Sequence, residues 1–98
     1  MFDNLTIRAF QDLIRQRYYA TDSARGSPAT FLWFSEEVGE LASALGEKHR
    51  GREDRANLEE EFADVFAWLC TLANINDVDL AEALNKYTVG QGPQGTKS

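Results

Sequence analysis

The chain has 98 residues, 43% of them hydrophobic, and a formal net charge of −6 at pH 7, enough for one domain whose own core is modest. The acidic balance argues against a nucleic acid polymer as partner, because that needs basic surface to displace counterions. It leaves room for a small anionic ligand, since bound divalent cations can invert the local field.

Met1 to Phe10 includes Asp3 and Arg8 and lacks the apolar run of a signal peptide. Ile7, Phe10, Leu13, Ile14 and Tyr18 then recur at intervals of three and four. That period predicts helix 1 over Thr6 to Ala20, with Thr6 as N-cap and Leu5 and Phe10 as a hydrophobic staple. Thr21 to Ser27 is polar, contains a glycine and reads as a connection. Ser27 before Pro28 looks like an N-cap with proline in the first helical position, opening helix 2 as far as Lys48. Its apolar stripe is Phe31, Phe34, Val38, Leu41 and Leu45.

His49 to Arg55 forms a charged break, and a capping-box start at Asn57 to Glu60 opens helix 3. Leu58, Phe62, Val65, Phe66, Leu69 and Leu72 give that helix its stripe. After a turn at Asn74 to Asp77, Val78 and Asp79 open a short helix 4 ending near Tyr87. Residues 90–98 have no apolar period and are expected to be a disordered tail beyond a single domain at 1–89. The fold class is therefore all-α, an antiparallel bundle of about four helices. Six Phe, three Tyr and two Trp suggest a core that continues into a subunit interface, so oligomerisation is expected to complete it. No stretch approaches the roughly 18 apolar residues of a membrane span. The single cysteine, Cys70, excludes an intrachain disulfide and a cysteine zinc cluster, and suits a reducing cytoplasm.

Two carboxylate pairs stand out. Glu37 and Glu40 are three apart on helix 2, and Glu61 and Asp64 are three apart on helix 3, so each pair shares one helical face. Both pairs border the apolar stripes, and Trp33 and Trp68 lie on the same faces. If the stripes pack together, four acids meet at the seam with no matching set of Lys or Arg. Such a cluster demands protonation or a hard divalent cation, and magnesium takes carboxylate oxygens while sharing its remaining positions with phosphates. A solvated acidic face is the bland alternative.

EEVGE (Glu36 to Glu40) followed by EFAD (Glu61 to Asp64) resembles the EExxE…ExxD signature of MazG-like all-α nucleoside triphosphate pyrophosphohydrolases. The likeness extends through TFLWFSEEVGELASAL and LEEEFADVFAWLCTLANINDVDLAEAL, and FQDLIRQRY is similar to that family's first helix. The resemblance implies hydrolysis of a nucleoside triphosphate to monophosphate and pyrophosphate. It makes Glu37, Glu40, Glu61 and Asp64 the ligands of Mg²⁺, with Mn²⁺ as a substitute, and gives Glu36 a supporting or proton-accepting role. It also implies a homodimer or homotetramer. Trp33 and Trp68 are then candidates to stack on the base, and Lys48 and Lys86 to contact phosphates; core packing and a solvated loop are their ordinary roles. One departure is clear: Lys86-Tyr87 is followed by a tail without the cysteines some relatives carry there.

The lone histidine, His49, excludes a di-iron bundle site, and no phosphate-binding loop or nucleophile elbow is present. Two rivals remain. One is a related all-α hydrolase, dUTPase-like or acting on phosphoribosyl-ATP. The other is a non-catalytic interaction module with an acidic face.

Overall fold

The structure, a computed structural model, describes residues 4–89. Thr6 opens the first helix as expected, its Oγ1 accepting from the Ala9 N–H at 3.0 Å. Helix α1 runs over Ile7–Arg25, straight through much of the stretch expected to be a connection. Polar residues alone do not break it; Asp22 and Arg25 instead pair one turn apart at 2.6 Å. The helix ends only at Gly26, whose φ of 83° suits a residue without a Cβ. That glycine is also the N-cap of α2, Ser27–His49, with Pro28 in the first turn. The connection is thus a single residue, and Gly26 rather than Ser27 holds the cap.

Helix α3, Arg55–Ile75, starts earlier than Asn57 because Asp54 caps it, accepting from the Asn57 N–H at 3.1 Å. The charged break shrinks to residues 50–54. The expected fourth helix appears as two single turns, α4 (Leu80–Ala83) and α5 (Asn85–Thr88). Asp79 caps α4, and the Tyr87 N–H reaches the Leu84 carbonyl at 2.9 Å in a tighter three-residue turn. Neither glycine nor proline marks this interruption.

Helix α3 is central, with α2 along one side and α1 on another, while α1 and α2 barely touch. The α2–α3 pair is antiparallel. Glu47 lies near Asn57, Glu37 near Asp64, and Asn76 donates to the Ser27 Oγ at 3.0 Å. A buried amide network fastens α1 to the end of α3. Gln11 Nε2 donates to Asn74 Oδ1 at 3.0 Å and to the Val78 carbonyl at 2.7 Å, and Gln11 Oε1 accepts from the Leu80 N–H at 3.0 Å. This satisfies the polar groups where the chain turns, with Asp77 in the left-handed region at φ 56°. Phe10 stacks on Phe66 with ring centroids 5.7 Å apart.

The described residues contain no strand, so the fold is all-α. Its buried apolar set is small: Ile14, Ala44, Leu58, Cys70 and Ala73. Burial pushes the Cys70 thiol up to about 11, leaving it an unreactive packing group. Much of the stripes expected to be core faces outward, with Phe31 57% and Phe62 54% exposed beside Val38, Leu45 and Leu69. The radius of gyration is 15.4 Å, against about 12–13 Å for a compact domain of this length. No described helix is long and apolar enough to cross a membrane. The expected tail at 90–98 lies outside the described residues.

Candidate metal centre

Antiparallel packing of α2 on α3 brings the two acidic pairs to one seam. Oxygens of Glu37, Glu61 and Asp64 lie within 4.8 Å of one another. Glu40, more exposed, sits at the rim against both helices, and its carboxyl acts on Glu37 and on Glu61 alike. Glu61 is buried and Glu37 and Asp64 are half-buried. Oε2 of Glu37 and Oε2 of Glu61 are both shielded and meet no hydrogen-bond donor.

The electrostatics follow from that arrangement. Burial, then the charges of Glu40 and Asp64, carboxyl contact with Glu40 and the charge of Glu61 push Glu37 up to about 7. Burial first, then Glu40, raises Glu61 as well. No ion pair among the described residues includes any of the four acids. The described residues thus gather negative charge here and supply no cation against it. An all-oxygen carboxylate set with two orphaned oxygens fits a hard divalent ion.

Residues 25–89 match the family model described as the MazG nucleotide pyrophosphohydrolase domain. The chain belongs to the MazG family. Its members are nucleotide pyrophosphohydrolases that typically depend on divalent metal, and the carboxylate cluster falls within the matched region. Among curated proteins, none matches the chain. The match takes in α2 to α5 but begins at the last residue of α1, so the likeness of FQDLIRQRY to a MazG first helix rests on sequence alone.

The other candidates fall in different places. Glu36 is exposed, one residue before Glu37 and outside the close cluster. Trp33 is exposed on α2. Trp68 is half-buried in a cavity between α1 and α3, with the Arg25 guanidinium 5.1 Å from its ring centre. Lys48 is engaged with Glu53 at 2.8 Å, and Arg52 folds back onto Glu47 at 2.7 Å. Lys86 lies exposed on α5 with its ammonium 5.1 Å from the Tyr87 ring centre. Sequence reasoning gave no role to Asp22 or Thr30, which the structure buries around Arg25. The one available signal was the i,i+3 spacing of Asp22 and Arg25 in a stretch taken for loop.

Proposed function

We propose that this MazG-family chain hydrolyses a nucleoside triphosphate to the monophosphate and pyrophosphate, with magnesium held by Glu37, Glu40, Glu61 and Asp64. The observation that supports it is the four-acid seam left without any internal cation. When bound, magnesium, or manganese in its place, supplies Lewis acidity toward phosphate oxygens and a lowered pKa for water. The chain's residues position the rest. Water attacks the α-phosphorus in line, the bond to the α,β-bridging oxygen breaks, and pyrophosphate departs. Glu36, the exposed acid next to Glu37, or one of the ligands accepts the proton that the water gives up. Trp68 stacks on the base, with Trp33 on α2 the second candidate for that role, while Lys48, exchanging Glu53 for phosphate, and Lys86 approach the anionic end. A cytoplasmic setting accompanies this reading, with Cys70 a free buried thiol.

The domain spans residues 1–89, and we place it in a homodimer or homotetramer. Outward-facing Phe31, Val38 and Leu45 on α2 and Phe62 and Leu69 on α3 support this, because a monomer leaves them in water. Sedimentation equilibrium at micromolar concentration should give a dimer or tetramer; a monomer would refute the assembly.

The activity is tested by incubating purified protein and magnesium with canonical, deoxy and modified nucleoside triphosphates and phosphoribosyl-ATP, following pyrophosphate. Release from nucleoside triphosphates is expected. Turnover confined to dUTP or phosphoribosyl-ATP would replace the substrate assignment. No turnover of any kind, with no response to magnesium, would favour the interaction module.

A further inference from the structure

The cavity between α1 and α3 contains a third orphaned carboxylate, one that the metal cluster does not explain. About 320 Å³ in volume, it is lined by Ile14, Tyr18, Asp22, Arg25, Trp68 and Thr71 among others, and is of the size that takes a small planar ligand. Asp64, Trp68 and Thr71 follow one another along a single ridge of α3, at spacings of four and three. At 1.5 Å per residue the cavity therefore begins about 6 Å beyond Asp64 and extends to about 10 Å. A base attached to a phosphate held at the carboxylates would fall in that interval.

Around Arg25 the hydrogen bonds form a chain that stops short at one atom. Arg25 Nε donates to Thr30 Oγ1 at 2.9 Å, and Arg25 Nη2 donates to Asp22 Oδ1 at 2.6 Å. Thr30 in turn donates to the Gly26 carbonyl at 2.7 Å. Asp22 is only 5% exposed, and its Oδ2 meets no donor. Native proteins rarely bury an acceptor without a partner, and the neighbouring hydroxyls of Thr21 and Thr71 leave this one unmet. The wall carrying Ile14, Tyr18 and Asp22 also precedes the family match, which begins at residue 25.

We propose that Asp22 reads the base, its free carboxylate oxygen accepting an N–H from the exocyclic amino group of cytosine, adenine or guanine. This rests on the nucleotide reading above. Trp68 packs on the ring by the part of its surface that Arg25 leaves open, and Arg25, within the same cavity, holds the carboxylate by Oδ1. Because Oδ2 is shielded from water in the empty cavity, binding must turn the carboxylate about its soft terminal torsion. An oxo group at the same position, as in uracil or hypoxanthine, would set lone pairs against the carboxylate. A site built around such a hydrogen bond rejects the analogue lacking it more strongly than an apolar pocket can.

The test compares dCTP with dUTP and ATP with ITP, in the wild type and in Asp22→Asn, following pyrophosphate release with magnesium. A second arm, without metal, compares tryptophan fluorescence quenching by deoxycytidine and by deoxyuridine. The wild type should favour the amino partner by at least about tenfold in kcat/KM, and deoxycytidine should quench at the lower concentration. Asp22→Asn should bring the ratio near one or invert it, since an amide N–H₂ then faces the base. Circular dichroism checks that this variant folds, and the wild-type ratios stand without it. Equal turnover within both pairs, with equal quenching, would overturn the base reading and leave the pyrophosphohydrolase standing. Selective quenching by deoxycytidine with no triphosphate hydrolysed would uphold the pocket and overturn the hydrolase.

Discussion

Two acid-rich regions of the same helical hairpin behave in opposite ways. Around the turn at 50–54, Glu47 and Glu53 find cations, while Asp54 caps α3. Glu47 receives Arg52 at 2.7 Å and Arg50 at 3.7 Å, and Glu53 receives Lys48 at 2.8 Å and Arg55 at 3.6 Å. Hydrogen bonds from Arg52 and Lys48 hold Glu47 and Glu53 below the usual carboxylate range. A few helical turns away, Glu37 and Glu61 are pushed the other way by burial first and then by neighbouring carboxylates, Glu40 foremost. Residue type is the same in both places; the available counter-charge differs. Paired acids at the turn belong to an exposed surface that contributes little individually, whereas the unpaired seam is costly until a cation arrives from outside.

That contrast can be broken at several points. The largest effect is expected from Asp64→Ala or Glu40→Ala, which should lower pyrophosphate release by on the order of a hundredfold or more, the scale for losing one electrostatic partner of a transition state. Helical content by circular dichroism should be unchanged; substantial residual turnover would remove the residue from the site. Next comes the thermal response to magnesium. At a hundredfold excess over Kd a one-site ligand adds about 2.7 kcal/mol, a rise of roughly ten degrees or more for a domain this small. A flat melt at pH 8 would be inconsistent with a metal centre.

Smaller is the effect of Glu37→Gln. Removing one buried charge should raise the melting temperature of the metal-free protein at pH 8 and erase its magnesium response together. A destabilised variant would mean that the repulsion is not felt. The wild type should carry the same signature in its pH dependence. Glu37 titrates near 7 in the fold against an ordinary 4.5, so between those values the folded state keeps a proton that the unfolded state has released. Metal-free stability must then fall as pH rises through that window, and magnesium should restore it at the upper end, where Glu37 has lost its proton. Glu47 and Glu53 act in the opposite sense, their contribution being lost as pH falls below the carboxylate range. Smallest of all, Arg52→Ala at the turn should move the melt by only about one to eight degrees, short of the magnesium effect, and leave the magnesium shift intact.

The seam was legible in the sequence because it depends only on period: acids three apart beside an apolar stripe, twice. Helix caps at Thr6 and Asp79 were legible for the same local reason. What escaped was decided by tertiary partners. Thr21 to Arg25 looks like loop by composition, yet it is helical because Asp22 and Arg25 pair and no glycine intervenes before Gly26. Phe31, Val38 and Phe62 read as core, but the described residues of one chain leave them exposed. The interruption at Leu84 has no sequence marker. Asp22 gave no sign of its burial, since a single aspartate in a polar stretch is ordinarily solvated.

The most direct measurement is a titration of Mn²⁺ into the protein at pH 8, with free ion followed by electron paramagnetic resonance. Wild-type protein should remove Mn²⁺ from solution with saturable stoichiometry, Mg²⁺ should compete, and Asp64→Asn should weaken the uptake sharply. If the free-ion signal rises from the first addition as it does in buffer, the four acids hold no metal and the catalytic account fails with them.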